Sequence, residues 1–223
     1  MATKRKIVFI NNGFYHVFNR GIEKRPIFTN QWELKRAEEL MKFYQYQNTP
    51  IRFSQFNLLS KERQQEIWEI ISTSKKLIEI ICFCFMPNHF HFLLKQLEDK
   101  GVATFIANFT NAYTKYFNTR YQRIGPLFEG VFKAVYVETD EQLIHLSRYI
   151  HLNPVSSSLI ETSKLENYVW SSYPNYLTNK NDNIIERKLI LSFFKSVAEY
   201  KRFVLDQASY ARELNKIKHK ILE

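Results

Sequence analysis

Hydrophobic and polar positions alternate along several short stretches of the chain, and this alternation is typical of β-strands. It predicts a first strand over Phe14–Arg20 (FYHVFNR). Leu77–Met86 is β-branched and almost wholly apolar, which predicts a strand buried on both faces. After a turn at Pro87-Asn88, His89–Lys95 (HFHFLLK) is predicted to return as its hairpin partner, and Phe128–Val137 is predicted as a fourth strand.

Between these strands, apolar residues recur with the spacing of amphipathic helices. The first predicted helix begins at an N-cap, Thr29, and ends near Gln47, and the second covers Ser60–Ser72 with Ser60 as its cap. A third runs from Gly101 to about Tyr121. The side chains expected to face inward are Trp32, Ala37, Leu40, Met41, Tyr44, Ile67, Ile70, Ile71, Phe105, Phe109, Tyr113, Tyr116 and Phe117.

The order of elements indicates an α+β fold built on an antiparallel sheet, close to the split βαβ plan. A helix capped by Asp140 and ending before Pro154 follows the fourth strand, and a long basic helix is expected near the end of the chain. We therefore predict a catalytic domain over residues 1–155, with an insertion at about 48–76. Residues 156–223 are predicted to form a helical extension packed on that domain.

Composition narrows the class of protein. Apolar residues make up 45% of the 223 positions, with only 5 glycines and 6 prolines, which argues against a disordered chain. No apolar run approaches the length of a membrane span, so a cytoplasmic, nucleoid-associated protein is expected. Lys and Arg total 32 against 22 acidic residues, a net charge of +10 that favours nucleic acid as partner. Cys82 and Cys84 are expected to be reduced, buried thiols.

His89 and His91 are the first residues that could carry chemistry. Strand side chains alternate, so both imidazoles should point to one face while Phe90 points to the other. Two imidazoles side by side can hold one divalent cation and leave positions open for substrate oxygens. On this pattern alone, ordinary strand histidines on a half-exposed face are the favoured interpretation.

The helix before Pro154 provides a second group. His145, Tyr149 and Asn153 lie at i, i+4 and i+8, which predicts a single stripe along one helix face. Tyr149 could bring a nucleophile and Asn153 a third metal ligand to the two histidines. On spacing alone, the favoured interpretation has Tyr149 in the core and Asn153 as a helix cap. His145 is expected in the core, and His151, rotated by roughly 200° from Tyr149, should face elsewhere.

Five segments, in order, resemble a known family. MPNHFHFLLK resembles the histidine–hydrophobic–histidine motif of the single-stranded-DNA insertion-sequence transposases and their REP-associated tyrosine transposase relatives, in the HUH superfamily. The others resemble the family's first strand, fourth strand, catalytic helix and C-terminal segment; they are YHVFNRG (15–21), GPLFEGVFKAVYV (125–137), RYIHLNPV (148–155) and YVWSSY (168–173). The resemblance implies a ferredoxin-like antiparallel sheet with helices packed on it.

Carried over position by position, the resemblance implies that His89, His91 and Asn153 bind Mg²⁺ or Mn²⁺ and that Tyr149 is the nucleophile. It implies metal-dependent cleavage and joining of DNA strands through a 5′-phosphotyrosine intermediate. Val131 departs from the family, since many relatives have arginine there, so a phosphate contact at this position does not carry over.

The expected partner is single-stranded or hairpin DNA, bound by a monomer or a homodimer. In some relatives the tyrosine helix reaches the histidines of a second chain, so the resemblance is compatible with cis and trans sites. Basic residues predicted to contact phosphates and aromatic residues predicted to stack on bases are Arg20, Lys115, Arg120, Arg123, Lys133, Tyr113, Tyr116 and Tyr121.

Two alternative functions fit the same residues. A catalytically silent protein derived from a transposase would bind DNA hairpins without forming a covalent adduct. A nucleotide hydrolase with a histidine nucleophile would act on mononucleotides and would not need Tyr149.

Overall fold

The computed structural model describes residues 7–178 and 184–208. Four strands form one antiparallel sheet in the order β2-β3-β1-β4. Their bounds are β1 Phe14–Arg20, β2 Ile78–Met86, β3 His89–Gln96 and β4 Lys133–Val137. This is the strand order of a split βαβ, ferredoxin-like sheet, and the predicted α+β class is confirmed.

Eight α-helices surround this sheet in the part of the chain that the structure describes. They are α1 Gln31–Tyr44, α2 Phe53–Phe56, α3 Lys61–Ser72, α4 Gly101–Arg120, α5 Asp140–Ser156, α6 Tyr173–Leu177, α7 Lys188–Leu191 and α8 Val197–Leu205. Short 3₁₀ helices cover Ile22–Lys24 and Thr162–Asn167. None of the described helices is long and apolar enough to cross a membrane. The basic helix expected near the end of the chain falls largely on residues 209–223, outside the described residues.

The register of the sheet decides which side chains share a face. On β1, Arg20 lies opposite His89 and Phe18 lies opposite His91, and directly paired residues project to the same side. On the other edge of β1, Phe18 also lies opposite Lys133. Both histidines, Arg20 and Lys133 therefore belong to one face, here called the histidine face.

The opposite face of the sheet carries most of the aromatic core. Phe90 and Phe92 alternate with the histidines along β3 and are fully buried. Both rings contact Phe109 of α4 at centroid distances of 5.4 and 5.5 Å. Because this side is packed by α4, which also lies against α1, the hairpin is held rigidly. Helix α5 packs on the histidine face, over β2 and β3.

The C-terminal segment covers the free edge of β2. The Phe85 amide donates to the Trp170 carbonyl at 2.9 Å, and the Tyr168 hydroxyl donates to the Phe85 carbonyl at 2.7 Å. The Ser172 amide donates to the Phe83 carbonyl at 3.0 Å. An edge strand with unpaired backbone groups is prone to aggregation, and this segment satisfies those groups.

The fourth strand is shorter than its sequence predicted. β4 begins at Lys133, whereas the apolar pattern predicted a start at Phe128. Gly130 has a φ of +57°, a left-handed conformation that interrupts an extended strand. Phe128 forms only an isolated bridge with Gly21. The chain therefore turns before it joins the sheet.

Helix α1 is capped one residue later than predicted. The Asn30 side chain, not Thr29, accepts hydrogen bonds from the amides of Trp32 and Glu33, and the helix ends at Tyr44 instead of Gln47. Trp32, expected to face inward, is 70% exposed. It lies on the outer side of the first turn, whose inner side carries the fully buried Glu33.

Helix α3 has the predicted bounds and the predicted Ser60 cap, which accepts from the Arg63 amide. Ile67 and Ile71 are buried, but Ile70 is 51% exposed, because only a narrow stripe of this helix is covered.

Helix α5 does not end before Pro154. Its N-cap is Thr139, not Asp140, and it continues through the proline to Ser156. Proline removes only the hydrogen bond that its own missing amide would donate, and the Ser157 amide still donates to the Asn153 carbonyl at 3.0 Å. Asn153 is therefore inside the helix, and the capping interpretation is wrong.

Candidate active site

The hairpin β2–β3 and helix α5 bring His89, His91, Asn153 and Tyr149 together within one chain. His89 Nε2 lies 3.4 Å from Asn153 Oδ1. The rings of His89 and His91 are 4.9 Å apart between centroids. Both come from one strand and are set by the pleat, while Asn153 reaches them because α5 crosses the histidine face.

A third imidazole, His16, completes this cluster. His16 Nε2 lies 2.9 Å from His91 Nδ1, and the two rings stack with centroids 5.1 Å apart. Sequence reasoning missed His16, although the alternation of β1 places it on the same face as Phe18. Its contact with His91 requires β1 beside β3, which the predicted split βαβ plan implies, so alternation and sheet order together could have found it.

Burial keeps these imidazoles neutral near pH 7. It lowers the pKa of His16 to about 4. It also lowers the pKa of His91 well below the ordinary value, with smaller contributions from His16 and His89. Desolvation lowers the pKa of His89 too, although Asn153 Oδ1, which could accept a hydrogen bond only from a protonated Nε2, opposes it. The neutral imidazole is the form that binds a cation, because one of its ring nitrogens has a free lone pair.

The Tyr149 side chain is accessible while its ring stays beside the histidines. Its ring centroid lies 5.6 Å from that of His91 and 6.0 Å from that of His16. The side chain is 50% exposed, so the core interpretation of Tyr149 is wrong. Asn153, one turn later, is 7% exposed. The helix thus presents an exposed phenol next to a buried amide.

His145 does not join the cluster. Its side chain is 49% exposed, against the expectation that it is buried, and it contacts the Arg148 guanidinium, Nη2 to Nδ1, at 2.7 Å. Over eight residues the helical stripe drifts by about 80°, because two turns take only 7.2 residues. The side of α5 that faces the histidines therefore includes Tyr149 and Asn153 but not His145.

His151 faces away from the site, as predicted, and anchors α5 to the C-terminal segment. It is fully buried, with Nδ1 2.7 Å from the Tyr200 hydroxyl and Nε2 2.8 Å from Ser172 Oγ. Ser147, one turn before, also lies 3.2 Å from the Tyr200 hydroxyl. These contacts fix the rotation of α5 and thereby the position of Tyr149.

Burial lowers the pKa of His151 to about 3, against about 6.5 in an unfolded chain. The folded state holds this residue neutral, so its stability contribution is complete above pH 6.5 and is lost as the pH falls towards 3. We expect the free energy of unfolding to lose about 1.4 kcal/mol per pH unit from this group. Urea unfolding of wild type and His151→Gln between pH 7 and 4 measures that difference in slope. Equal slopes in wild type and His151→Gln would contradict it.

The predicted DNA-contact residues fall into separate regions. Arg20 and Lys133 lie on the histidine face; Arg20 pairs with Glu129, while Lys133 has no carboxylate partner among the described residues. Lys115 is exposed on α4. Near the end of that helix, Arg120 is exposed and Arg123 contacts Asn118.

The tyrosines predicted to stack on bases differ in how exposed they are. Tyr113 is fully buried and its hydroxyl donates to the Ile27 carbonyl, so it cannot stack on a base. Tyr116 is half-buried, and Tyr121 is 41% exposed with its hydroxyl bonded to Glu33.

Cys82 and Cys84 are free, buried thiols, as predicted.

The three candidate ligands suit a hard divalent cation. Two neutral imidazoles and one amide oxygen are a set that Mn²⁺ or Mg²⁺ accepts with water at the remaining positions. Among residues 7–178 and 184–208, no group of three His, Cys, Asp or Glu side chains could hold a metal ion. Asn153 Oδ1, which lies 3.4 Å from His89 Nε2, is the third candidate ligand beside the two imidazoles.

Comparison with known proteins agrees with this geometry. Residues 51–153 match the family model described as transposase IS200 like, a range that contains both histidines, Tyr149 and Asn153. No curated protein sequence matches the chain.

One solved structure is a REP-associated tyrosine transposase bound to a REP hairpin. It is 13% identical, with a TM-score of 0.50, and the match covers 83% of this chain and 98% of that one, which shows a shared fold.

Two further structures have TM-scores too low to carry an argument. A candidate transposase from Deinococcus radiodurans R1 has 12% identity, a TM-score of 0.36, and coverage of 67% of this chain and 95% of that one. A tRNA(His) guanylyltransferase from Saccharomyces cerevisiae has 15% identity, a TM-score of 0.31, and coverage of 84% and 80%. The family-model match over residues 51–153 and the shared fold support the resemblance of this chain to the IS200-like transposases.

Proposed function

We propose that the protein cleaves and rejoins single-stranded DNA, with Tyr149 as nucleophile and a divalent cation held by His89, His91 and Asn153. The observation that carries this proposal is the half-exposed Tyr149 ring beside the His91 ring, on the helix that also brings Asn153 to His89. The proposed nucleophile and ligand set lie within a single chain, which supports a site built from one protomer.

The neighbours of the two histidines support this role. His89 Nδ1 lies 2.6 Å from Asn88 Oδ1, and His91 Nδ1 lies 2.9 Å from His16 Nε2. If each Nδ1 donates a proton to its neighbour, each Nε2 retains its lone pair. Metal-binding histidines usually have such a partner on the other ring nitrogen, which sets the tautomer and the ring orientation. A bound Mg²⁺ or Mn²⁺ would withdraw charge from a nonbridging phosphate oxygen.

The covalent steps follow from the groups present. The Tyr149 oxygen attacks the phosphorus, its proton passes to solvent, and the bond from phosphorus to the 3′ oxygen breaks. The departing oxygen takes up a proton and becomes a free 3′-hydroxyl, while the 5′-phosphate stays on Tyr149. Because the phosphotyrosine ester keeps the bond energy, a second 3′-hydroxyl can attack it and join two strands. Lys133, on the histidine face and without a carboxylate partner in the described part of the chain, is placed to contact a neighbouring phosphate.

Exposure of the reacting groups favours this reaction over a histidine-nucleophile hydrolase. His91 is 6% exposed and bonded to His16, whereas the phenol of Tyr149 is open to solvent.

The second candidate function is a catalytically silent protein that binds DNA hairpins. The REP hairpin in the similar structure favours hairpin DNA as partner, and that alternative differs from the enzyme only in forming no adduct.

We expect cleavage of single strands and of hairpins with unpaired flanks, and little cleavage of blunt duplex. The reason is that the nucleophile must reach the phosphate of an unpaired strand. With a net charge of +10, affinity should fall steeply with salt, by a slope of about −0.7 per phosphate contacted. End-labelled single-stranded, hairpin and blunt duplex oligonucleotides that share the sequence around the cleavage site, incubated with Mn²⁺, measure this preference. Equal cleavage of blunt duplex would contradict the proposed substrate.

A further inference from the structure

A large groove lies on the side of the sheet away from the histidines. It has a volume of about 980 Å³ and lies between α1, the segment 49–58 that includes α2, and α4. Helix α4 covers the face of Phe90 and Phe92, whose side chains alternate with the two histidines. The groove is therefore separate from the candidate active site, and its wall is the segment that the sequence marked as an insertion.

The charges that line this groove are all positive. Arg36, Arg52 and Lys115 contribute to its wall, and no Asp or Glu does. Arg36 lies 3.9 Å from the Glu39 carboxylate, whereas Arg52 and Lys115 are exposed and make no ion pair with any described carboxylate. A concave surface with unpaired cations of one sign concentrates anions, because the walls reduce the screening by solvent.

Aromatic and amide side chains accompany these cations. The Arg36 guanidinium lies 5.0 Å from the Phe53 ring and 4.9 Å from the Tyr116 ring, so it is fixed in position by both. Asn108 and Asn111 of α4 also line the groove, as do Gln55 and Asn57. Amides can donate to and accept from the edges of bases, and aromatic or guanidinium planes offer surfaces for base stacking.

We propose that this groove holds an unpaired nucleotide of the DNA strand, with its phosphate at Arg52 and Lys115 and its base beside Tyr116. The inference rests on the proposed function in taking DNA as the partner, and it adds a second contact region on the other side of the sheet. The cations match the phosphate of a nucleotide, the amides match the edge of its base, and the planar groups match the face of the base. An acidic peptide would use the cations and leave the planar groups unused.

Binding of a single-stranded oligonucleotide at several salt concentrations tests the phosphate contacts. The double variant Arg52→Gln/Lys115→Gln should reduce the slope of log K against log salt by about 1.4, since each single-strand contact contributes about 0.7. The matched control Lys164→Gln/Lys188→Gln removes the same charge from exposed positions outside the groove and should change the slope much less. Equal slopes for the two double variants would overturn the proposal.

Photocrosslinking tests the base contact without any substitution. An oligonucleotide containing 5-iododeoxyuridine, irradiated on the full chain, should form an adduct that peptide mapping places at Tyr116 or elsewhere in the groove. Adducts confined to the histidine face would overturn the proposal. Failure of the proposed function is separable, because loss of cleavage with a normal groove crosslink rejects the enzyme alone. Cleavage without a groove crosslink rejects the groove alone.

Discussion

Tyr149→Phe is expected to abolish DNA cleavage and covalent adduct formation while DNA binding stays within a few-fold of wild type. The substitution removes only the reacting oxygen, and a half-exposed ring that makes edge contacts with His16 and His91 keeps its packing. Cleavage of a labelled single strand, beside a binding titration in the same buffer, measures both quantities. A loss of more than about 100-fold in cleavage corresponds to about 2.7 kcal/mol in the barrier.

A matched control separates the nucleophile from a general effect of losing a tyrosine. Tyr136 is 40% exposed on β4 and lies opposite Tyr15, on the other face from the histidines. Tyr136→Phe should cleave like wild type. Retained adduct in Tyr149→Phe would remove Tyr149 from the mechanism, and buried Tyr113 could not replace it because its hydroxyl is bonded to the Ile27 carbonyl.

The second large effect concerns metal binding. His89→Ala and His91→Ala should each lose most affinity for Mn²⁺, whereas Asn153→Ala should lose less, since water can replace an amide oxygen. Added Mn²⁺ should then partly rescue cleavage by Asn153→Ala and hardly rescue the histidine variants. Calorimetric titration of Mn²⁺ into each protein gives the affinities independently of cleavage. His145→Ala, at an exposed histidine outside the cluster, is the matched control and should bind like wild type.

The same titration tests the positioning role of His16. His16→Phe keeps an aromatic ring on β1 but removes the nitrogen that contacts His91 Nδ1. Loss of such a partner typically lowers metal affinity by about 10- to 100-fold, so His16→Phe should fall between Asn153→Ala and the two ligand variants. Wild-type affinity in His89→Ala and His91→Ala would reject the metal site, and wild-type affinity in His16→Phe alone would reject only the positioning role.

Much of the sheet was predictable because local pattern and tertiary position agree there. β1 and the hairpin β2–β3 match the predicted ranges within a residue or two, since alternation and continuous apolar character reflect one-sided and two-sided burial. The histidine pair follows from that alternation. The separation of Tyr149 and His151 follows from helical geometry in the same way.

Other features depend on contacts that no local pattern contains. His16 joined the cluster because β1 lies beside β3, a consequence of the sheet order. The passage of α5 through Pro154 depends on packing that compensates for one missing hydrogen bond. The start of β4 was misplaced because the apolar residues before Gly130 pack in a turn, and burial in a turn and burial in a strand leave the same apolar signal.

The most direct test of the central claim is a denaturing gel of the wild-type protein after incubation with 5′- or 3′-labelled single-stranded DNA and Mn²⁺. The account predicts a protein–DNA adduct that survives denaturation, carries the label of the 3′ side of the break, and is absent in Tyr149→Phe and without metal. DNA binding with no adduct under any of these conditions would contradict it and leave a hairpin-binding protein without strand-transfer activity.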